Sequence, residues 1–411
     1  MQKKYTSLKS VAFGALLLSI THIAGSQTWT PQTSNITDNL NAVHFTDANN
    51  GIASGMNGAI VTTVDGGTTW VPRTSGVTAN LKDVFMADPQ TAYAVGLTGT
   101  IIKTSDGGAT WATQTSGTTK LLSDVYFVSP SVGWVAGEDG TIKTTTDGGA
   151  TWTSQASGTT SDLQAIFFIS STEGWITGNG IGLAGTVLHT INAGLTWTLQ
   201  TVPTGNYADI HFINANEGWI VGSNSAVAKT TDGGITWTSI NIGLNVQIWA
   251  VHFVSSVKGW ITVGAAVNQN SSMKISNDGG NTWLSHPTPI NVKTEDAYFL
   301  NAGLGYSVGN SGIILKYTAP VGINDLENEN TFSVYPNPAN QIATIAWQPR
   351  LNKNLEIKIV DAKGKEIQKL KNQNSKIEMD VSKFENGIYS IQPYFTSERT
   401  IVKSQKLIIQ H

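Results

Sequence analysis

The sequence predicts an all-β fold: a seven-bladed β-propeller closed by the N-terminal strand, followed by a small C-terminal β-sandwich. A turn motif of the form Asp-Gly-Gly-x-Thr-Trp recurs along the chain, and its tryptophans are spaced by a period in the low forties. Such a period, in sequence rich in glycine and β-forming residues, is typical of four-stranded propeller blades. A change of composition near residue 318 predicts the second domain.

Each copy of the motif has the chemistry of a β-hairpin. Its glycines supply the positive φ that a tight turn requires, its aspartate can accept backbone N–H bonds, and Thr-Trp opens the returning strand. The tryptophan is a large apolar side chain that is best buried against a neighbouring unit. We therefore interpret the motif positions as structural, with Asn192 marking a degraded copy; they are Asp65, Trp70, Asp106, Trp111, Asp147, Trp152, Asn192, Trp197, Asp232, Trp237, Asp278 and Trp283.

The spacing of the tryptophans predicts the number of blades. Each full unit reads as four strands, as at 122–127, 133–137, 140–144 and 151–155. A seventh unit has three strands, at 297–300, 305–309 and 313–317, but no turn motif. Trp29 has the Trp-x-x-Gln context of Trp111, yet it precedes the first complete unit, so we expect the N-terminal strand to complete the seventh blade and leave no sheet edge exposed. The intervals along Trp29, Trp70, Trp111, Trp152, Trp197, Trp237 and Trp283 are 41, 41, 41, 45, 40 and 46 residues.

Both ends of the chain differ from the repeats. Residues 1–26 combine three lysines, an apolar run at 11–20 and a terminal Ala-Gly-Ser, which predicts a signal peptide with Gln27 as the mature start. The run is too short to span a bilayer, and no later stretch is long enough. Residues 319–330 read as a linker. Residues 331–411 predict a β-sandwich, because short strands alternate with turns; these strands are at 343–347, 355–360, 366–370, 377–381, 387–391 and 406–409.

Composition argues against several classes of function. The chain has no cysteine, so disulfides and thiolate metal sites do not arise. Its formal net charge is −3, and residues 27–318 carry ten basic and eighteen acidic side chains. This balance disfavours nucleic acid as a partner, because that binding needs clustered cations. The Asp-Gly-Gly turns lack the alternating oxygen ligands of a calcium loop. We expect no metal and no cofactor.

The motifs resemble those of two known families. Across residues 27–318 the repeats resemble the Asp-box, or bacterial neuraminidase, repeat, and the unit Gly-Trp-x-x-Gly…Ile-x-x-Thr-x-Asp-Gly-Gly-x-Thr-Trp is most similar to the photosystem II assembly-factor type of seven-bladed propeller. Similar propellers occur in secreted bacterial proteins. The tail resembles the C-terminal sorting domain of the type IX (Por) secretion system of Bacteroidota, through Tyr335-Pro336-Asn337-Pro338-Ala339, Gly387-Ile388-Tyr389 and Lys406-Leu407-Ile408.

The second resemblance implies a partner and a destination. Residues 331–411 are expected to engage the type IX secretion machinery. The signal peptide would deliver the chain to the periplasm, and the sorting domain would then route it across the outer membrane. The mature protein would be released or attached at the outer cell surface.

The first resemblance raises enzymatic alternatives. A sialidase binds the carboxylate of its substrate with three arginines, but the only arginine in residues 27–318 is Arg73. Other Asp-box glycosidases use two carboxylates. Alignment of the first strands supplies candidates for acid–base or metal chemistry, although a repeated position more simply serves inter-blade packing. The aligned residues are Ala42, Asp83, Asp124, Ala165, Asp209, Ala250 and Asp296, and, two positions later, His44, Phe85, Tyr126, Phe167, His211, His252 and Tyr298.

The irregular loops form the candidate binding face. Loops between second and third strands share a face with those that precede the first strands, and the resemblance to related propellers places the Asp-box turns on the opposite face. The fourth and sixth units enlarge these loops, at 179–184 and 265–270. Irregular loops on a repetitive scaffold often carry function, although drift in solvent gives the same pattern. The candidate binding residues are Glu138, Asp139, Asn179, Tyr207, Trp249, Asn268 and Gln269.

Together these observations predict an exported, non-enzymatic propeller that binds or assembles a protein or a glycan. The alternative is a carbohydrate-active hydrolase of the Asp-box propeller type. An acid pair at glycosidase separation within an open groove would distinguish the two.

Overall fold

A computed structural model describes residues 28–180, 185–243, 245–264, 272–290, 293–319, 332–335, 339–347, 355–361, 365–372, 376–395 and 405–410. Within these ranges the regular elements are β-strands joined by turns, five of which are single 3-10 turns. The predicted signal peptide lies outside the described residues, as does the predicted linker after residue 319. No helix of the described part is long and apolar enough to cross a membrane.

Seven four-stranded sheets form the blades of a propeller. The first strand in the chain, β1 (Thr28–Gln32), belongs to blade 7. Blade 1 contains β2 (Leu40–Phe45), β3 (Gly51–Gly55), β4 (Ile60–Thr63) and β5 (Val71–Arg73), and blade 2 contains β6 (Leu81–Met86), β7 (Ala92–Gly96), β8 (Ile101–Thr104) and β9 (Ala112–Gln114). Blade 3 contains β10 (Leu122–Phe127), β11 (Gly133–Gly137), β12 (Thr141–Thr145) and β13 (Thr153–Gln155).

The remaining blades repeat this order. Their strands are β14 (Leu163–Phe168), β15 (Gly174–Gly178), β16 (Thr186–Thr190) and β17 (Thr198–Leu199) in blade 4, β18 (Tyr207–Phe212), β19 (Gly218–Gly222), β20 (Val227–Thr230) and β21 (Thr238–Ser239) in blade 5, β22 (Gln247–Phe253), β23 (Gly259–Gly264), β24 (Ser272–Ser276) and β25 (Leu284–His286) in blade 6, and β26 (Thr294–Asn301), β27 (Leu304–Gly309) and β28 (Ile314–Thr318) in blade 7.

The N-terminal strand closes the ring. β1 lies antiparallel to β28, with Thr28 opposite Thr318 and Gln32 opposite Ile314. The first strands of neighbouring blades contact one another in a closed cycle in which β26 of blade 7 meets β2 of blade 1. The prediction of an all-β, seven-bladed propeller closed by the N-terminal strand is confirmed.

Six of the seven blade junctions contain the same aromatic triad. A phenylalanine at the end of a first strand stacks on an aromatic residue of the preceding blade's second strand, and the tryptophan of its own blade meets it edge-on. At the junction of blades 5 and 6, Phe253 lies 3.6 Å from Trp219 and 5.8 Å from Trp283, centroid to centroid. Such pairs add about 0.5–1.5 kcal/mol each beyond area burial. The stacked pairs are Tyr306–Phe45, Tyr93–Phe127, Trp134–Phe168, Trp175–Phe212, Trp219–Phe253 and Trp260–Phe299.

The junction of blades 1 and 2 is the exception. Ile52 occupies the position of the stacked tryptophan, and Met86 occupies the position of the phenylalanine. Both belong to a buried aliphatic cluster against which Trp111 packs. This junction therefore relies on hydrophobic burial without aromatic stacking.

The Asp-box turn is held by its own hydrogen bonds. In blade 3, Asp147 Oδ1 accepts bonds from the Thr145 hydroxyl at 2.8 Å and the Thr151 N–H at 2.9 Å, while Oδ2 accepts the Thr151 hydroxyl at 2.6 Å. The Thr145 hydroxyl oxygen accepts the Gly149 N–H at 2.8 Å. Hydrogen bonds from Thr151 and Thr145 lower the pKa of Asp147 to about 2. The same carboxylate bonds recur at Asp65, Asp106, Asp232 and Asp278.

Each turn also docks onto the preceding blade. In five of the six turns, the stacked aromatic residue of the preceding blade donates to a backbone carbonyl at the tip of the turn, as Trp219 Nε1 does to the Gly279 oxygen at 3.0 Å. The turn of blade 2 is the exception, because the equivalent residue of blade 1 is Ile52, which has no side-chain donor. Blade 7 has no Asp box, and among the described residues Trp260 Nε1 is buried without a hydrogen-bond partner. The turns therefore help to join neighbouring blades. Because blade 7 lacks an Asp-box turn, Trp260 Nε1 has no acceptor in the described part of the chain.

The tail contains two sheets. One has the order β29 (Phe332–Tyr335), β30 (Ile342–Trp347), β33 (Lys376–Asp380), and the other the order β32 (Glu366–Asn372), β31 (Leu355–Asp361), β34 (Gly387–Phe395), β35 (Gln405–Ile409). Side chains of both sheets enter one buried cluster, in which Ile345 and Ile359 meet Leu407. Two sheets that share one core make the predicted small sandwich.

Candidate functional site: the central channel

The first strands of the blades line a central cavity of about 1300 Å³. These strands place one side chain at every second residue toward the channel, because successive side chains of a strand point to opposite faces. The lining includes the four aspartates of the first aligned position and all seven residues of the second. The channel is therefore a large concave site lined by side chains from all seven blades.

One layer is a closed aromatic ring, here called the collar. Every member contacts the next around the channel, with centroid separations from 4.3 Å for His44–Phe85 to 5.2 Å for Phe167–His211. The contact between Tyr298 and His44, at 4.5 Å, completes the circle. The collar comprises His44, Phe85, Tyr126, Phe167, His211, His252 and Tyr298.

The second layer contains four carboxylates, here called the carboxylate layer: Asp83, Asp124, Asp209 and Asp296. Each side chain accepts the backbone N–H of the next blade's first strand. Asp209 Oδ2 accepts from Val251 at 2.7 Å, and Asp296 Oδ2 accepts from Val43 at 2.9 Å, across the closure. The carboxylates of blades 2 and 3 do the same for Val125 and Ile166, at 3.0 and 2.6 Å. These side chains join blades as well as line the channel.

Burial changes the protonation of this layer. Desolvation, together with repulsion from Asp296, raises the pKa of Asp209 to about 8. Desolvation likewise raises the pKa of Asp296 to about 7, with Asp83 contributing. Burial raises the pKa of Asp83, and it raises that of Asp124 further because the neighbouring Asp83 adds repulsion; the two side chains are hydrogen-bonded. None of the residues that line the cavity is lysine or arginine.

The three histidines of the collar are neutral at pH 7. Desolvation lowers the pKa of His44 to about 3 and that of His211 to about 4. Desolvation lowers the pKa of His252 well below its usual value, and His211 and His44 contribute. His44 Nδ1 accepts the Met86 N–H at 3.3 Å, and His211 Nε2 lies 2.9 Å from the Phe253 oxygen, to which it donates. Their imidazoles therefore also bridge blades.

The arrangement offers little for metal or sialidase chemistry. No group of three or more His, Asp or Glu side chains that could hold a metal ion occurs in the described part of the chain. Arg73 lies on β5, the outermost strand of blade 1, where its Nε donates to the Thr62 hydroxyl at 2.9 Å.

The channel opens on an unexpected face. In a blade of four consecutive antiparallel strands, the first and third turns share one face and the second turn lies on the other. The Asp boxes are third turns. The cavity is lined beyond the collar by residues that follow first strands, including Thr46, Asp88, Asn214 and Ser256. The cavity therefore opens on the Asp-box face, whereas the predicted binding loops lie on the opposite one.

The predicted binding residues are dispersed on that opposite face. Glu138 and Asp139 form a 3-10 turn, in which Glu138 accepts the Leu121 N–H at 3.1 Å and Asp139 pairs with Lys120. The backbone N–H of Asn179 donates to the Asp162 oxygen at 2.9 Å. Asn268 and Gln269 lie outside the described residues.

Two aromatic candidates have opposite environments. Trp249 is 36% exposed, and the Lys293 ammonium lies 4.0 Å from its ring centroid. Tyr207, in contrast, is 1% exposed and donates its hydroxyl to the Pro203 oxygen at 2.8 Å. The Tyr207 ring belongs to a buried cluster that includes Trp175 of blade 4 and Ile210 of blade 5, and its hydroxyl is satisfied locally.

Family models match segments of both parts of the chain. A family model described as photosynthesis system II assembly factor YCF48 matches residues 114–204 and 195–267, and one described as a secretion system C-terminal sorting domain matches residues 333–410. Residues 114–267 are thus similar to YCF48 repeats, and residues 333–410 to a sorting domain. The sorting domain implies recognition by the type IX secretion machinery and export to the outer cell surface. No curated protein matches the sequence as a relative.

Solved propellers share the fold at low identity. YCF48 bound to D1 peptide has a TM-score of 0.61 at 18% identity, over 72% of this chain and 96% of that one. PorZ, an essential surface component of the type IX secretion system of Porphyromonas gingivalis, has a TM-score of 0.55 at 14% identity, over 90% and 59%. A GH74 xyloglucanase from Xanthomonas campestris has a TM-score of 0.56 at 13% identity, over 79% and 60%.

Proposed function

We propose that this protein is an exported, non-enzymatic binding module that accepts a peptide segment of a partner protein into the central channel from the Asp-box face. The signal peptide at residues 1–26 would start the export that the sorting domain completes. The observation that carries the proposal is the cavity of about 1300 Å³, lined by the collar and the carboxylate layer. A cavity of this kind, with apolar walls and a few convergent polar groups, is the usual form of a ligand site.

The hydrogen bonds of the carboxylate layer favour binding over catalysis. Both oxygens of Asp209 and of Asp296 already accept backbone N–H groups. A carboxylate that holds two blades together is poorly suited to exchange protons or attack a substrate, because either step would weaken the junction. The solved YCF48 propeller that carries a D1 peptide shares this fold, which supports a peptide as the ligand.

A carbohydrate-active hydrolase is the second candidate, favoured by the pairing of Asp83 with Asp124. These side chains are hydrogen-bonded to each other. Retaining glycosidases hold their carboxyl groups roughly 5 Å apart, and inverting enzymes hold them farther apart. A directly bonded pair leaves no room for the glycosidic bond between the two groups, so we rank this candidate second.

The test is capture of a partner by the full-length mature protein from the surface fraction of the producing cell. Ser256 is exposed and lines the mouth of the channel, so Ser256→Trp should obstruct entry and abolish capture of a partner that wild type retains. The matched control is Ser105→Trp, at an exposed Asp-box position that does not line the cavity. Equal capture by both variants would refute entry through the channel.

A further inference from the structure

A second cavity, here called the side pocket, lies between the first turns of blades 3 and 4. Its volume is about 520 Å³, within the range of roughly 300–1,000 Å³ that is usual for ligand sites. The lining, all of it in the described part, contains no charged side chain. It consists of three serines, the aromatic residues Tyr126, Phe127 and Phe168, and the aliphatic residues Val128, Val132 and Ile169.

The aliphatic lining departs from the repeat. In every blade, five residues form the first turn between the last paired residues of the first and second strands. Among the described junctions, only that of blades 3 and 4 has aliphatic residues at the first and last positions of one turn and at the first position of the next, namely Val128, Val132 and Ile169. The last residues of the other first turns are Asn50, Thr91, Glu173, Glu217, Lys258 and Leu304. Although Leu304 is also apolar, the turn of the next blade begins with Thr46.

Blade 3 lacks a polar pair that the next two blades contain. In blades 4 and 5 the last residue of the first turn is a glutamate that reaches the third strand of its own blade. Glu173 Oε1 lies 3.3 Å from His189 Nε2, and Glu217 Oε1 lies 2.7 Å from Lys229 Nζ. The equivalent third-strand residue of blade 3 is Thr144, opposite Trp134. Neither member of the polar pair is therefore present beside the side pocket.

The polar groups of the two turns are already hydrogen-bonded within the turns. Ser129 Oγ accepts the Val132 N–H at 3.2 Å, and Ser170 Oγ accepts the Glu173 N–H at 3.0 Å. The Ile169 N–H donates to the Glu173 oxygen at 3.0 Å. What the side pocket offers a ligand is therefore mainly apolar surface, whose burial favours a neutral apolar group.

The side pocket adjoins the channel. Tyr126 lines both cavities, and both lie among residues that follow first strands. Farther from the channel axis, the Ala193 N–H of the blade 4 Asp-box turn donates to the Thr172 oxygen of the first turn at 2.8 Å. That Asp-box turn carries Ile191 and Leu195, which are 70% and 82% exposed. A chain that leaves the channel over blades 3 and 4 would meet the side pocket first and these apolar side chains next.

We propose that the side pocket binds a large apolar side chain of the peptide segment that occupies the channel. This inference rests on the proposed function and adds a specificity to it: the partner segment would carry an aliphatic or aromatic residue where it crosses blades 3 and 4. A charged residue at that point would be desolvated without a counter-charge, because the lining is uncharged.

Selection of peptides measures this specificity directly. A library of random heptapeptides is panned against the full-length mature protein, and we expect the retained peptides to share one large apolar residue. In a synthetic copy, replacement of that residue by asparagine should weaken binding, measured by calorimetry, at least about tenfold, because burial of the apolar side chain is lost. Retained peptides without a shared apolar residue, or equal affinity of the two synthetic peptides, would overturn the proposal. Neither result requires a variant to fold.

Val132→Glu then locates the site. Glutamate already stands at this turn position in blades 4 and 5, so the variant should fold, but it places a charge in the apolar cavity. Binding of the selected peptide should weaken at least about tenfold, and the asparagine replacement should then cost little more. The matched control is Thr91→Glu, which puts the same charge at the same turn position of blade 2, outside both cavities. Wild-type affinity in Val132→Glu would refute the assignment.

Partner capture distinguishes this inference from the proposed function. If Ser256→Trp abolishes capture while Val132→Glu changes neither capture nor peptide binding, entry through the channel stands and the side pocket is refuted. If Val132→Glu abolishes peptide binding while Ser256→Trp captures the partner as well as wild type does, the side pocket stands and entry through the channel is refuted.

Discussion

The indole of Trp29 meets the ring of Phe299 edge-on, with centroids 5.9 Å apart and planes at 80°. This is the contact that an Asp-box tryptophan makes with the phenylalanine of its own blade in five other blades. The Trp29 Nε1 also donates to His286 Nδ1 at 2.9 Å, and it does so in the position where Trp152 donates to Gln114 at 3.3 Å. The strand that begins the described chain therefore reproduces the blade contacts of the internal repeats without a turn motif of its own.

Trp29→Ala should strongly destabilise the propeller. The side chain is 5% exposed, and its loss removes the closure contacts to Phe299 and to His286. Large aromatic truncations in cores cost about 3–5 kcal/mol. We expect a lower Tm and, because the closing strand is weakened, more aggregation. The control is Trp347→Ala in β30 of the tail, which should leave the propeller transition unmoved. If Trp29→Ala had the same Tm as wild type, the contribution of Trp29 to closure of the ring would be contradicted.

His286→Gln should make the propeller less sensitive to acid. Burial, and the nearby Lys258, lower the pKa of His286, so the unfolded chain binds a proton there more readily than the folded one. Stability from this site is therefore present above about pH 6.5, the ordinary value for histidine, and is lost as pH falls below it. Glutamine retains an acceptor for Trp29 and does not titrate.

The measurement is Tm from pH 7.5 to pH 5. The collar histidines also lower stability in acid, so His286→Gln should reduce the decline without removing it. A variant whose Tm falls as steeply as that of wild type would show that His286 has no part in the acid response.

Thr98→Asn should stabilise blade 2. Thr98 has φ of 58°, a left-handed conformation that is costly for a β-branched residue and easier for asparagine. The equivalent residue of blade 5, Asn224, has φ of 53°. Relief of the strain should raise the free energy of unfolding by roughly 0.5–1 kcal/mol. The reciprocal Asn224→Thr should lower it, and equal shifts of the same sign in chemical denaturation would contradict the explanation.

Deletion of residues 331–411 should leave a folded propeller in the periplasm. The described strands of the tail have their own apolar cluster, in which Ile345 contacts neighbours of the same tail, and the sorting-domain model covers residues 333–410. Cell fractionation with an antibody to the propeller measures the outcome. Surface delivery of the truncated chain at the wild-type level would contradict a sorting role for the tail.

Sequence periodicity was sufficient for the fold because the repeat encodes its own turns. Trp29 could be assigned to blade 7 from its Trp-x-x-Gln context, and the register with β28 confirms that assignment. The aromatic triad was not anticipated, although its signal is present: a Gly-Trp or an equivalent aromatic residue opens most second strands, and phenylalanine ends most first strands. These residues contact each other between neighbouring blades, and the sequence pattern within one blade does not reveal that contact.

The site was less predictable than the fold. Alignment of the first strands found both layers of the channel, but only the folded chain shows that the collar closes and that the carboxylates accept N–H groups of the next blade. The face on which the channel opens was deduced from the residues that line it beyond the collar, and loop length did not indicate that face. The burial of Tyr207 could not be predicted from the sequence, because burial of one ring depends on its neighbours in three dimensions.

The aliphatic junction between Ile52 and Met86 has a mechanical consequence. The first and last strands of the propeller meet inside blade 7, where β1 pairs with β28 along its whole length and Trp29 completes an aromatic triad. Blades 1 and 2 are consecutive in the chain, yet their interface lacks the stacked rings of the other six. Under mechanical tension, or in thermal opening of the ring, blades 1 and 2 should separate from each other before β1 separates from β28. The ring would then open at the junction of blades 1 and 2, which lies between two regular repeats and not at the closing strand.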